Sequence, residues 1–101
     1  MLNIYNSNRN QIDNKEPKFI DKNIFETLQK ARQDLVGEIQ AIIEYDNHIY
    51  SSNDNIAIQT WTHIKNEELG HVGELLALIN YLEPNQKQFV ENGISHFNNN
   101  K

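Results

Sequence analysis

A chain of 101 residues carries one domain at most. Its formal net charge of −5 and pI near 5.2 offer no basic footprint for nucleic acid or an anionic membrane. The absence of cysteine excludes disulfides and thiolate metal centres and fits a reducing compartment. No apolar run approaches the ~20 residues of a membrane span, and the opening Met-Leu-Asn-Ile-Tyr-Asn lacks the charged and apolar regions of a secretory signal. These features together predict a soluble, acidic, cytoplasmic protein.

Residues 1–17 are Asn-rich, aperiodic and closed by Pro17, which predicts a flexible N-terminal arm. A helical hairpin is expected over residues 18–84. Its first helix runs from about Phe19 to Ser51 with Asp21 as N-cap. The seam of that helix reads Ile24, Leu28, Ala31, Leu35, Glu38, Ile42, Tyr45 and Ile49, with one carboxylate in an apolar row. Val36, Ile39 and Ile43 widen the stripe, so the helix faces more than one neighbour.

Ser51-Ser52-Asn53-Asp54-Asn55 is a short turn signal, which makes the flanking helices antiparallel neighbours. The second helix extends from about Asn55 to Glu83 and stops at Pro84. Its predicted seam is Ala57, Trp61, Ile64, Glu68, His71, Leu75, Leu78 and Leu82, with Leu69, Val72, Leu76 and Ile79 in a row beside it. Gly37, Gly70 and Gly73 are expected to permit close helix approach near the polar positions. In residues 85–101, Gln86–Glu91 predicts a short helix ended by Asn92-Gly93, followed by a frayed tail.

A turn centred on residue 53 sets Glu38 level with Glu68, Leu35 with His71, Tyr45 with Trp61 and Leu28 with Leu78. The three ionisable seam residues then share one layer, about 22 Å from the turn at 1.5 Å rise per residue. No Arg or Lys falls in either predicted seam, so this layer holds more negative charge than its imidazole neutralises. A divalent cation bound by carboxylate oxygen and imidazole nitrogen relieves that imbalance. One hairpin supplies only Glu38, Glu68 and His71, and two amphipathic helices do not cover stripes this wide. Dimerisation about a twofold axis answers both needs, giving a four-helix bundle with four Glu and two His in its middle layer.

From about Asp34 to Pro84 the chain resembles the rubrerythrin-type ferritin-like proteins, and among them the encapsulated ferritins, which carry one hairpin per chain. The resemblance rests on Glu38, on Glu68 thirty positions later with His71, and on Tyr45 seven after the first Glu. It implies an all-α ferritin-like fold with a di-iron site at the dimer interface. It also implies a ferroxidase that oxidises Fe²⁺ with O₂ for storage or detoxification, a ring-shaped decamer, and an encapsulin shell as partner. Glu38, Glu68 and His71 become the metal ligands, and Tyr45 a residue that hydrogen-bonds a ligand or carries electrons. Core packing against Trp61 is the alternative for Tyr45.

Gly37 and Gln40 replace the further acids that encapsulated ferritins carry beside the first ligand Glu. Glu44 stands where the family has an aromatic, and Gly93–Phe97 is a poor match to an encapsulin-targeting tail. Glu67, Glu74 and Glu44 are read as solvated helix edges, or as acids that attract Fe²⁺. His48, His63 and His96 are read as surface or tail residues. A rubrerythrin-like peroxidase at the same site and a metal-free helical interaction module stand as the alternative functions.

Overall fold

The computed structural model describes residues 21–101, so the predicted arm and the proposed extension of the first helix to Phe19 and Ile20 lie outside the described residues. Within them the chain forms three helices: α1 (Lys22–Ser51), α2 (Asn55–Leu82) and α3 (Pro84–Asn100). Asp21 caps α1, its Oδ1 accepting from the Asn23 N–H at 2.8 Å. The turn is the three residues between the helices. Ser52 is extended, its Oγ accepts from the Asp54 N–H at 3.1 Å, and Asp54 Oδ1 caps α2 by accepting from the Ala57 N–H at 2.9 Å. These local bonds satisfy the helix ends at the turn, and α1 and α2 return on each other as expected.

The phase of α2 differs from the sequence expectation. On α1 the predicted seam is buried or half-buried from Leu28 through Ala31, Leu35, Glu38, Ile42 and Tyr45 to Ile49, but Ile24, predicted for the same row, is 41 % exposed. On α2 the predicted Ala57, Trp61, Ile64, Glu68, Leu75 and Leu82 are half-buried, and Lys65, Val72 and Ile79 turn inward beside them. His71 and Leu78 are exposed on the flank, and Ile79, predicted for the lateral row, is 1 % exposed. The period alternates steps of three and four, and a run of neighbouring apolar residues such as Leu75-Leu76-Ala77-Leu78-Ile79 admits more than one phase. Both phases alternate steps of four and three, so spacing does not separate them; the observed one buries Ile79 and leaves Leu78 40 % exposed.

Leu28, Ala31 and Ile79 form the buried core, with Leu35 and Leu82 packed on it. That core lies at the open end of the hairpin. Among the described residues eleven large apolar side chains of α1 and α2 are exposed against these three buried ones, so a lone hairpin leaves much of its apolar surface in water. Gly37, Gly70 and Gly73 have no atom within 4 Å of where a Cβ would stand. The α1–α2 contact therefore does not use them, contrary to expectation.

Glu83 alone joins α2 to α3. Its N–H donates to the Ile79 carbonyl at 2.9 Å, its side chain accepts from the Asn85 N–H at 3.2 Å, and Pro84 takes the first helical position of α3. α3 then runs through the predicted stop at Asn92-Gly93 to Asn100. A helical glycine costs only about 1 kcal/mol, and no proline follows Pro84 to enforce a break. The predicted frayed tail is helical as well, with Asn100 Nδ2 donating to the His96 carbonyl at 2.8 Å.

The α2 phase predicts unequal costs of truncation. Ile79→Ala should destabilise the metal-free protein by about 2–4 kcal/mol, and Leu78→Ala by less than ~1 kcal/mol. Urea unfolding in chelator measures both, and a larger loss at Leu78 would restore the original phase.

Candidate metal centre

Glu38 reaches the layer from the middle of α1, and Glu68 and His71 reach it from one turn of α2. An oxygen from each carboxylate and a nitrogen of His71 all lie within 4.8 Å of one another. His71 Nδ1 stands 3.1 Å from Glu68 Oε1 and 3.5 Å from Glu38 Oε1. The carboxylates are 25 % and 20 % exposed and the imidazole 53 % exposed, because the α2 phase turns His71 out onto the flank. The sequence placed all three in one layer, and the structure brings them together. It places the layer at the edge of the hairpin, open on one side.

The electrostatics are those of two acids competing for one cation. Its hydrogen bond with the Glu68 carboxylate raises the Glu38 pKa, and desolvation and the Glu68 charge add to the effect. The same contact with Glu38 lowers Glu68, and the bond to His71 lowers it further. The bond to Glu68 raises His71 against opposing desolvation. One Glu38 oxygen, Oε1, is buried with no hydrogen-bond partner. Its neighbour His71 Nδ1 is too far for a good bond and already serves Glu68.

No lysine or arginine relieves the layer among the described residues. Lys65 is half-buried on the α2 seam, which the sequence reading did not anticipate, but its Nζ pairs with Asp46 at 2.8 Å. An acceptor-rich group with an orphaned oxygen and an open side suits a divalent cation with oxygen and nitrogen ligands. Three donors from one chain fill only part of an octahedral shell, and the rest must arrive from outside it.

The other sequence-predicted residues are less engaged. Tyr45 is half-buried on the α1 seam two turns from Glu38, about 10 Å along the axis. Among the described residues it makes no hydrogen bond to the layer. Its ring meets His48 edge-on at 6.2 Å, and His48 in turn meets Trp61 at 5.0 Å, so His48 bridges the two aromatics expected to touch directly. His48 was read as a plain surface residue. The available signal was its place three residues after Tyr45, which puts both on one side of α1. Glu67 pairs with His63 at 3.3 Å on the exposed face, while Glu44 and Glu74 are exposed.

Compared with known proteins, the chain matches no family model, no curated protein and no solved structure. No described helix is long and apolar enough to cross a membrane.

The shifts fix the sign of the pH dependence. A His71 pKa raised above 6.5 adds stability that is full below 6.5 and is lost as pH rises through the raised value. A Glu68 pKa depressed below 4.5 adds stability present above 4.5 and lost as pH falls through the depressed value. A Glu38 pKa raised above 4.5 adds stability that is full below 4.5 and is lost as pH rises through the raised value, so the metal-free layer should contribute most at the acidic end of the range between 4.5 and 6.5. A metal needs His71 deprotonated, so divalent-ion affinity should climb as pH rises above 6.5. Isothermal titration with Mn²⁺ across that range measures it, and a flat affinity would contradict the assignment.

Proposed function

We propose that the protein is a di-iron ferroxidase whose site is completed by a second copy of the chain. The observation that carries the reading is the Glu38–Glu68–His71 group with its unpartnered Glu38 oxygen. A second hairpin set against the His71 flank about a twofold axis brings four carboxylates and two imidazoles into one layer. Ile64 and Leu78 lie on the same flank and supply apolar contact above and below it. The result is a four-helix bundle of the ferritin-like kind, in line with the sequence resemblance to encapsulated ferritins.

In that layer Glu38 and Glu68 hold Fe²⁺ as substrate, with the facing carboxylates placed to bridge two ions, and His71 completes each ion's protein ligands. Two Fe²⁺ each give one electron to O₂, which takes two protons and leaves as hydrogen peroxide, while Fe³⁺ passes on for storage. The protein contributes ligand geometry and charge. Carboxylates favour the more highly charged Fe³⁺ over Fe²⁺, which lowers the barrier to electron loss. Metal competes with the proton that the raised pKa values favour at Glu38 and His71, so binding and proton release are coupled. The ring decamer and encapsulin partner implied by the resemblance belong to the same proposal. The Gly93–Phe97 segment considered as a targeting tail is part of the α3 helix.

Two outcomes test the reading. Fe²⁺ should shift the chain toward a dimer or a multiple of dimers and raise its melting temperature, because ligand stabilises the state that forms the site. Sedimentation and thermal melts that do not respond to iron would remove the shared site. Glu38→Ala, Glu68→Ala and His71→Ala should each slow aerobic Fe²⁺ oxidation by at least about a hundredfold with helicity retained. Near-normal oxidation in all three would sink the ferroxidase. Faster turnover with peroxide than with O₂ would reassign it as a peroxidase.

A further inference from the structure

The metal layer opens on one flank of the hairpin, but a large apolar stripe lies on the other. At 100° per residue Leu69 and His71 fall on opposite sides of Glu68. Leu69 and Leu76 on α2 share their flank with Val36, Ile39 and Ile43 on α1. The five side chains are between 39 % (Leu76) and 68 % (Val36) exposed. This flank is nearly free of net charge. Its Asp46 and Lys65 are paired with each other and Arg32 is bonded to Gln86, whereas Glu67 and Glu74 lie towards the His71 side. A second copy that completes the metal layer leaves this stripe uncovered.

α3 carries the matching surface. Val90, Ile94 and Phe97 recur at four- and three-residue steps with Phe89 beside them, and Phe89, Val90, Ile94 and Phe97 are 74 %, 36 %, 56 % and 66 % exposed. No side chain of α3 is buried, and its contact with α1 is the Arg32–Gln86 bond at its root. It cannot cover the stripe of its own chain. Antiparallel helices in bundles are joined by about 2–8 residues, and here a single residue, Glu83 at φ −135° and ψ 86°, separates Leu82 from Pro84. α3 must leave the hairpin at its end.

We propose that α3 is exchanged between copies, its Val90–Ile94–Phe97 face seated on the Ile39–Ile43–Leu69–Leu76 stripe of a second chain. The 17 residues of α3 span about 25 Å, enough to lie along the stripe of about 20 Å between the levels of Leu76 and Ile43, with the Val90–Phe97 face covering about 10 Å of it. Every residue of the two faces is at least 36 % exposed, and reciprocal exchange covers two such pairs of faces. Exchange joins two apolar faces, with Asp46 and Lys65 paired with each other and Arg32 bonded to Gln86 at their edge. It uses the flank opposite His71, so each chain has two interfaces and the assembly grows past a dimer. This inference does not depend on iron.

Single cysteines are clean reporters because the chain has none. The full chain carrying both Ile43→Cys and Ile94→Cys, treated with a short bismaleimide in chelator, should give covalent multimers in at least fivefold excess over either single variant. Abundant dimers from Ile94→Cys alone would mean that α3 pairs with α3, and cross-links confined within one chain would mean a fold-back; either overturns the exchange. As a second measurement, Ile94→Glu with Phe97→Glu should lower the mass by light scattering at least twofold with helicity kept, and an unchanged mass overturns it. The cross-link should persist in Glu68→Ala. In the double-cysteine protein with Glu38, Glu68 and His71 intact, cross-links without iron binding would count against the metal centre alone, and iron binding without cross-links would count against the exchange alone.

Discussion

Two carboxylates facing each other across a hairpin, with one imidazole between them, set the terms for this molecule. Glu38 and Glu68 hold opposite shifts because they share one proton's worth of stabilisation, and His71 can satisfy only one of them well. Neither lysine nor arginine comes to their aid among the described residues. Like charges held this close are costly unless something positive sits among them. The cost is bearable in the single hairpin because the layer is at its edge and water reaches His71. It would grow once a second copy covered that edge, and a metal ion would then be needed most.

The same incompleteness governs packing. The buried core is three side chains at one end of the hairpin, and the apolar surface is divided among two flanks and a detached α3. Three buried side chains are a small core for helices of this length, and the exposed apolar faces leave room for contacts between copies. Stability, metal binding and assembly are therefore expected to rise and fall together. In the proposed bundle these exposed residues would be the ones that pack between copies.

Much of this was legible in the residues. Asp21 and Asp54 announced the helix starts, the Ser-Asn-Asp turn announced the reversal, and a register centred on residue 53 brought Glu38 level with Glu68. These features are local, or follow from a rigid rise per residue. What was not legible was rotation. Leu75 to Ile79 offers apolar residues at nearly every step, so the sequence alone does not decide whether Leu78 or Ile79 points inward, and that choice carries His71 from seam to flank. Lys65 was missed for the same reason. The length of α3 was misjudged because Asn92-Gly93 is a helix stop only when the chain has somewhere better to go, and nothing after Gly93 supplies it. The meeting of His48 with Trp61 depended on side-chain reach, which spacing does not encode.

The central claim is that two copies of Glu38, Glu68 and His71 share a pair of iron ions. Anomalous scattering at the iron edge, from crystals grown or soaked with Fe²⁺ without oxygen, tests it most directly. The account predicts two peaks per dimer related by the twofold axis, each within bonding distance of His71 from one copy and of carboxylates from both. Peaks confined to the exposed acids, or no peak at the layer while the dimer is intact, would contradict it.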